Sequence, residues 1–195
     1  MDEPPRPAER VDAARNRRRI LDAAHKLVAE RGIAAVSIPD IARAADVGAG
    51  TIYRRFGDRA GLAAALLDER HRDLQDQIIR GEPPLGPGAD PSKRLIAFGD
   101  AYLDFLDEHA ELLLAAQHAH APTALPAYRQ HVTLLLQQAT SGLDLTYVTG
   151  TLFAALDPAL HLHLRRDDQW TLQRLKHGWA NLALAWLNHG ASPAP

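Results

Sequence analysis

The sequence has 195 residues, 46% of them hydrophobic, and no cysteine, which is long enough for one or two domains with a real core and excludes disulfide and thiolate chemistry. No apolar run reaches the ~18 residues of a membrane span, and the opening MDEPPRPAERVDAARNRRR lacks the apolar centre of a secretory signal, so a cytoplasmic protein without a membrane partner is expected. The net charge of −2 hides an asymmetry: residues 1–60 carry twelve Lys/Arg against nine Asp/Glu, residues 61–195 ten against fifteen, and a basic front end points to a polyanion.

Residues 1–15 are rich in Pro, Arg and Asp without a period and read as a flexible arm. A first helix is expected from Asn16, read as its N-cap, with Ile20, Leu21, Ala24, Leu27 and Val28 on one face and Gly32 as its stop. Ser37 reads as the cap of a two-turn helix carrying Ile38, Ile41, Ala42 and Ala45, with Pro39 harmless in its first turn. Asp46-Val47-Gly48 is a turn, and a third short helix runs from about Ala49 to Phe56 until Gly57-Asp58 breaks it. Asp58 caps a longer helix with Leu62, Leu66, Leu67, Leu74 and Ile78 as its apolar stripe. The segment GEPPLGPGADP, 81–91, supports no regular element and reads as a domain junction or long loop. Beyond it, helices are expected at about 91–108, 110–120, 126–140, 144–164 and 168–189. Pro158 should kink or restart the fourth of these, with Asp157 as cap. No strand alternation is visible, so the fold class is all-α with about nine helices.

Two glycines in Gly48-Ala49-Gly50 are a poor helix start, each costing roughly 1 kcal/mol relative to alanine inside a helix. Their smallness is explained by the layout: a supporting helix, a short helix, a tight turn and a second short helix form a helix-turn-helix, whose second helix enters the DNA major groove. A tip cleared of side chains approaches base edges and phosphates closely, and its free N–H groups suit a phosphate.

The segment SIPDIARAADVGAGTIYRRFGDRAGL resembles the N-terminal domain of TetR-type transcriptional regulators. Ser37, Ile41, Ala42, Ala45, Val47, Gly50, Thr51, Ile52, Tyr53 and Phe56 fill the family pattern, and ILDAAHKLVAERG resembles its first helix. The sequence departs at Asp46, where the family usually has Gly, and at Gly48, where it usually has a capping Ser. Ala49 stands where many members carry a polar reader. The resemblance implies a helix-turn-helix DNA-binding domain over 16–62 with its motif at 37–56, a connecting helix at 63–80, and a larger ligand-binding and dimerisation domain over 91–195. Ile41, Ala42, Ala45, Val47, Ile52 and Phe56 are expected in the core. The expected DNA-binding set is Arg18, Arg19, Ser37, Arg43, Gly48, Ala49, Gly50, Thr51, Tyr53, Arg54, Arg55 and Arg59. In it Tyr53, Arg55 and Arg59 meet phosphates, Arg59 standing where the family has a phosphate-binding lysine. Arg18 and Arg19 reach the backbone or an adjacent minor groove.

In the second domain, Leu172, Leu175, Trp179, Leu182 and Trp186 are spaced 3, 4, 3, 4 and form a helix-packing seam. With Leu152 and Leu156 they are expected at a homodimer interface. Phe98, Tyr102, Phe105, Leu135, Tyr147 and Phe153 are candidate lining for a ligand pocket, with His118, His120, His131, His161 or His163 as polar handles. The two H-x-H pairs point about 200° apart on a helix, so no metal site and no cofactor is expected. The four serines form no G-x-S-x-G elbow and no phosphate-loop motif is present, so an enzyme is disfavoured. The expected function is a ligand-responsive homodimeric repressor on a palindromic operator, released by a small, largely apolar effector. An activator or an architectural DNA-binding protein is the alternative.

Overall fold

The computed structural model describes residues 7–119 and 124–189, with side chains from residue 12 onward. Among the described residues there are nine α-helices, one 3-10 turn and no strand. The helices are α1 (Pro7–Arg31), α2 (Ile38–Ala44), α3 (Ala49–Phe56), α4 (Arg59–Arg80), α5 (Pro91–Ala116), α6 (Leu125–Ala139), α7 (Leu145–Ala154), α8 (Pro158–Arg166) and α9 (Leu172–His189).

Residues 1–6 of the expected arm lie outside the described residues, but residues 7–15 are already helical. Pro7 is tolerated in a first turn, and Ala-, Glu- and Arg-rich sequence follows it. Asn16 is therefore inside α1 rather than its cap. Gly32 ends α1 in a left-handed conformation, φ 74°, that favours glycine. Ser37 caps α2 through a reciprocal box: its hydroxyl accepts from the Asp40 amide at 3.3 Å and its own amide donates to the Asp40 carboxylate at 3.2 Å. The Ser37 hydroxyl also donates to the Asp40 carboxylate, and that bond, with the one from the Ser37 amide, holds the Asp40 carboxyl below the usual carboxylate range. Asp46, in the turn between α2 and α3, has φ 51°. That left-handed geometry is why the TetR pattern favours glycine there, and aspartate is among the few other residues that adopt it readily.

The chain divides into two compact units, residues up to 68 with 115–121, and residues 69–114 with 122 onward. The division falls inside α4, not at the Gly/Pro segment. In the first unit, Ile20, Ala24, Ile41, Ala42, Ile52, Leu62 and Leu66 form a buried core under the α2–turn–α3 arrangement. Val47 and Phe56 are only half-buried, short of the expected core positions.

In the second unit, α5 is one continuous helix where two were expected, because Asp107 to Glu111 contains neither Gly nor Pro to end it. Asp157 restarts the chain as α8, accepting from the amides of Ala159 and Leu160 at 2.9 Å each. Trp179 is a core residue: its Nε1 donates to the Leu95 carbonyl at 3.2 Å. Its indole lies so close to Gly99 that a Cβ there would stand 1.9 Å from the ring. Only glycine lets α5 and α9 approach this closely.

Candidate nucleic-acid interface

α3 is an eight-residue helix anchored by one fully buried side chain, Ile52. Burying an isoleucine contributes roughly 1.5–3 kcal/mol, enough to seat so short a helix on α1 and α2. Its other faces are open. Gly48 is the N-cap, with φ −70° and ψ 139° and no side-chain capping bond. A Cβ at Gly48 or Gly50 would meet nothing within 4 Å. Neither glycine is required by the packing of its own chain or by a left-handed backbone.

Around this tip, Tyr53 is 51% exposed and Arg54 and Arg18 are exposed, while Thr51 and Ala49 are half-buried. Arg43 is exposed and pairs with Asp40 at 3.3 Å. Three other arginines of the expected DNA-binding set are occupied within the fold. Arg19 donates to the Ala45 carbonyl at 2.8 Å and lies 3.6 Å from Asp46, tying α1 to the turn. Arg55 donates to the Ala13 carbonyl, and Arg59 to the Ile33 carbonyl. A guanidinium can serve a carbonyl and a phosphate at once, since it carries five N–H donors, but the resting bonds of these three are structural. Ser37 is likewise committed to its cap. Arg17 sits 5.9 Å over the Phe56 ring and 3.7 Å from Asp68. The surface left outward is a neutral glycine tip flanked by Thr51, Tyr53 and Arg54, with Arg18 and Arg43 beyond.

The second unit holds an aromatic core. Phe98 lies 5.8 Å from Tyr102, 5.8 Å from His131 and 6.1 Å from Phe153, and Tyr102 lies 5.8 Å from Phe105. Five of the expected pocket residues are thus brought together, with Leu135 buried nearby in α6. Two members were missed. Tyr128 is buried and packs against Phe98 and Tyr102, and His71 stacks on Phe105 at 4.8 Å with Nδ1 3.2 Å from the Tyr128 hydroxyl. The signal for Tyr128 was one of register: it precedes Val132 by four and Leu135 by seven on the buried stripe of α6. Burial pushes the Tyr102 hydroxyl up to about 12 and the Tyr128 hydroxyl higher still, so both stay neutral. Burial, helped by Arg94, pushes His131 down to about 4, and its Nε2 is buried without a hydrogen-bond partner.

Other expected pocket residues lie elsewhere. Tyr147 is 62% exposed and packs against Trp186 at 6.3 Å. His118 is exposed and belongs to the first unit, and His120 lies outside the described residues. His161 is buried 3.2 Å from Asp107, and His163 is 2.7 Å from Asp167. Among the described residues no cluster of three or more His, Asp or Glu is arranged to hold a metal ion.

Four of the seven residues of the expected dimer seam, Leu152, Leu156, Leu175 and Trp179, are withdrawn into the core of their own chain, and the other three, Leu172, Leu182 and Trp186, are partly exposed. The buried stripe of α9 is Leu175, Trp179, Ala183 and Leu187. A face that shares only Leu182 with the expected seam is partly exposed: Gly178, Leu182 and Ala185 on α9, beside Tyr147, Gly150 and Ala154 on α7, the helix that α9 packs against. A Cβ at Gly150 or Gly178 would meet nothing within 4 Å.

Helix, turn and exposed second helix on a small three-helix core define a helix-turn-helix DNA-binding protein. Residues 20–66 match the family model of bacterial regulatory proteins, tetR family. The N-terminal helix-turn-helix of this chain is that of the tetR family of bacterial regulatory proteins. It is 45% identical over 71 residues to an HTH-type transcriptional regulator of Staphylococcus aureus (strain bovine RF122 / ET3-1), a match covering 36% of this chain and 37% of that protein. The matched stretch thus spans little more than a third of that relative. The fold extends further. The transcriptional regulator FadR from Bacillus subtilis in complex with stearoyl-CoA superposes with a TM-score of 0.61 at 19% identity, covering 86% of this chain and 97% of FadR. RolR in complex with resorcinol superposes with a TM-score of 0.59 at 21% identity, covering 93% and 96%. Among the described residues no helix is long and apolar enough to cross a membrane.

Proposed function

We propose that this chain is a ligand-responsive transcriptional repressor that binds a palindromic operator as a homodimer and is released by a small, largely apolar effector. The observation that carries the DNA-binding part is the tip of α3. Two helix-weakening glycines stand there with nothing of their own chain above them, beside exposed Tyr53 and Arg54. A partner from outside is the remaining reason for the space, and duplex DNA fits a bare helix N-terminus flanked by a cation.

Homodimerisation is supported by the open face of α7 and α9. Tyr147 and Leu182 are large apolar side chains left partly in water, and Gly150 and Gly178 flatten the surface so that facing helices can pack closely. Two copies would present two recognition helices to two half-sites, which one eight-residue helix needs for specific affinity. An apolar effector is supported by the aromatic core of Phe98, Tyr102, Phe105, Tyr128 and Phe153, whose polar members are held neutral. FadR and RolR hold a fatty acyl thioester and a small phenol on this one fold, so the fold itself leaves the effector open. Induction requires only that the effector prefer one of two conformations, with a coupling of about 1–3 kcal/mol. Regulation without catalysis and a cytoplasmic location belong to the same reading.

The test is selection of bound duplexes from a random pool by the full chain, followed by a screen for small molecules that release the selected site. Enrichment of one inverted repeat, and its release by an apolar compound, are expected. Equal retention of every duplex would overturn the reading.

A further inference from the structure

The family match begins at residue 20, whereas α1 begins at Pro7. The turns of α1 ahead of the matched segment lie alongside the recognition helix. Arg55 donates to the Ala13 carbonyl, and Ala13, Asn16, Thr51, Arg54 and Arg55 line one open cleft. Asn16 is half-buried and lines this cleft together with Thr51 and Arg54 of α3. The leading turn of α3 is Gly48-Ala49-Gly50, without a single side-chain donor or acceptor. A duplex seated against that turn must be read by groups from elsewhere. A carboxamide offers a donor and an acceptor together, the pair that the N6/N7 edge of adenine matches. A phosphate presents only acceptors, which Arg54 in the same cleft matches better.

We propose that Asn16 is a specificity-determining residue of DNA recognition: latched beside Thr51 and Arg54 by the Arg55–Ala13 bond, its amide meets a base edge that the glycine tip leaves unread. The inference rests on the reading of the chain as a DNA-binding regulator, and its test separates the two. Full-length wild-type and Asn16→Ala chains are taken through selection from a random duplex pool. Salt titrations on the wild-type consensus and its single-base variants follow. Alanine is the better helix former, so α1 persists in the variant.

Wild type enriches one inverted repeat. Asn16→Ala is expected to enrich the same repeat with the preference lost at one position in each half-site. Discrimination there falls at least ~10-fold, with the salt slope unchanged. Arg55→Ala, which opens the latch, is expected to blur the same position. An unchanged sequence preference in Asn16→Ala would overturn the inference alone. So would a uniform loss of affinity with a slope lower by about one, which marks a phosphate contact. A wild type that enriches nothing would remove the DNA-binding reading, and the inference with it.

Discussion

Arginine takes two different roles in the first unit. Arg19, Arg55 and Arg59 each hand a guanidinium N–H to a main-chain carbonyl, of Ala45, Ala13 and Ile33, and so clamp α1 and its trailing turn around the helix-turn-helix. Arg18, Arg43 and Arg54 are exposed and remain turned outward. Residue type alone did not separate the two groups, because a clamp needs a carbonyl at the right distance and that distance is set by tertiary packing. Histidine gives the residue-scale prediction. His131 is held neutral down to about 4 by burial, with Arg94 nearby. Its ordinary value is 6.5, so below that pH the unfolded chain binds a proton that the folded chain refuses. The stability due to the neutral ring is complete above 6.5 and declines as pH falls from 6.5 toward 4. Melting temperatures of wild type and His131→Phe across this window should show the smaller acid loss in the variant. Parallel curves would place the acid sensitivity elsewhere.

At the scale of elements, local chemistry was readable at most caps, though not at Asn16, which lies inside α1. Ser37, Asp58 and Asp157 cap their helices as read: Gly61 donates to Asp58 at 2.8 Å. The start of α1 was misplaced because low periodicity in an Ala/Arg/Glu stretch says little about helicity. The unbroken α5 looks like two helices in sequence because an apolar pattern that shifts face resembles a restart. The expected seam of α9 runs from the inward stripe, at Leu175 and Trp179, onto its half-buried border, at Leu172, Leu182 and Trp186, because a 3, 4, 3, 4 spacing drifts across the 4, 4, 4 row that packs inward. Gly99 beneath Trp179 left no sequence signal, because close approach of two helices distant in the chain is invisible locally. The recognition helix yields a prediction with two opposed readouts. Gly50→Ala meets no neighbour and should raise stability by about 1 kcal/mol through helix propensity alone. If the space above the tip belongs to a duplex, the same methyl group should weaken operator binding. A stabilised G50A chain that binds its selected site as well as wild type would separate the glycine from DNA recognition.

On the scale of the whole molecule, the division falls within α4 and again at the end of α5, so two helices are common to both compact units. The helix-turn-helix was legible because its spacing is dense: a cap, a turn and an anchored Ile52 occur within some twenty residues. The second unit was legible only as helices and as an aromatic inventory. Which aromatics meet depends on contacts such as His71 with Tyr128, separated by 57 positions, and no local pattern encodes those. In the proposed function, two copies place two glycine-tipped helices on one duplex. The most direct measurement is the mass of the complex formed with the selected inverted repeat, by sedimentation or native mass spectrometry, for wild type and for Gly178→Arg. Two wild-type chains per duplex are predicted, with the variant chain monomeric in free solution and its affinity for the repeat lost. One wild-type chain per duplex, or undiminished two-chain binding by the variant, would contradict it.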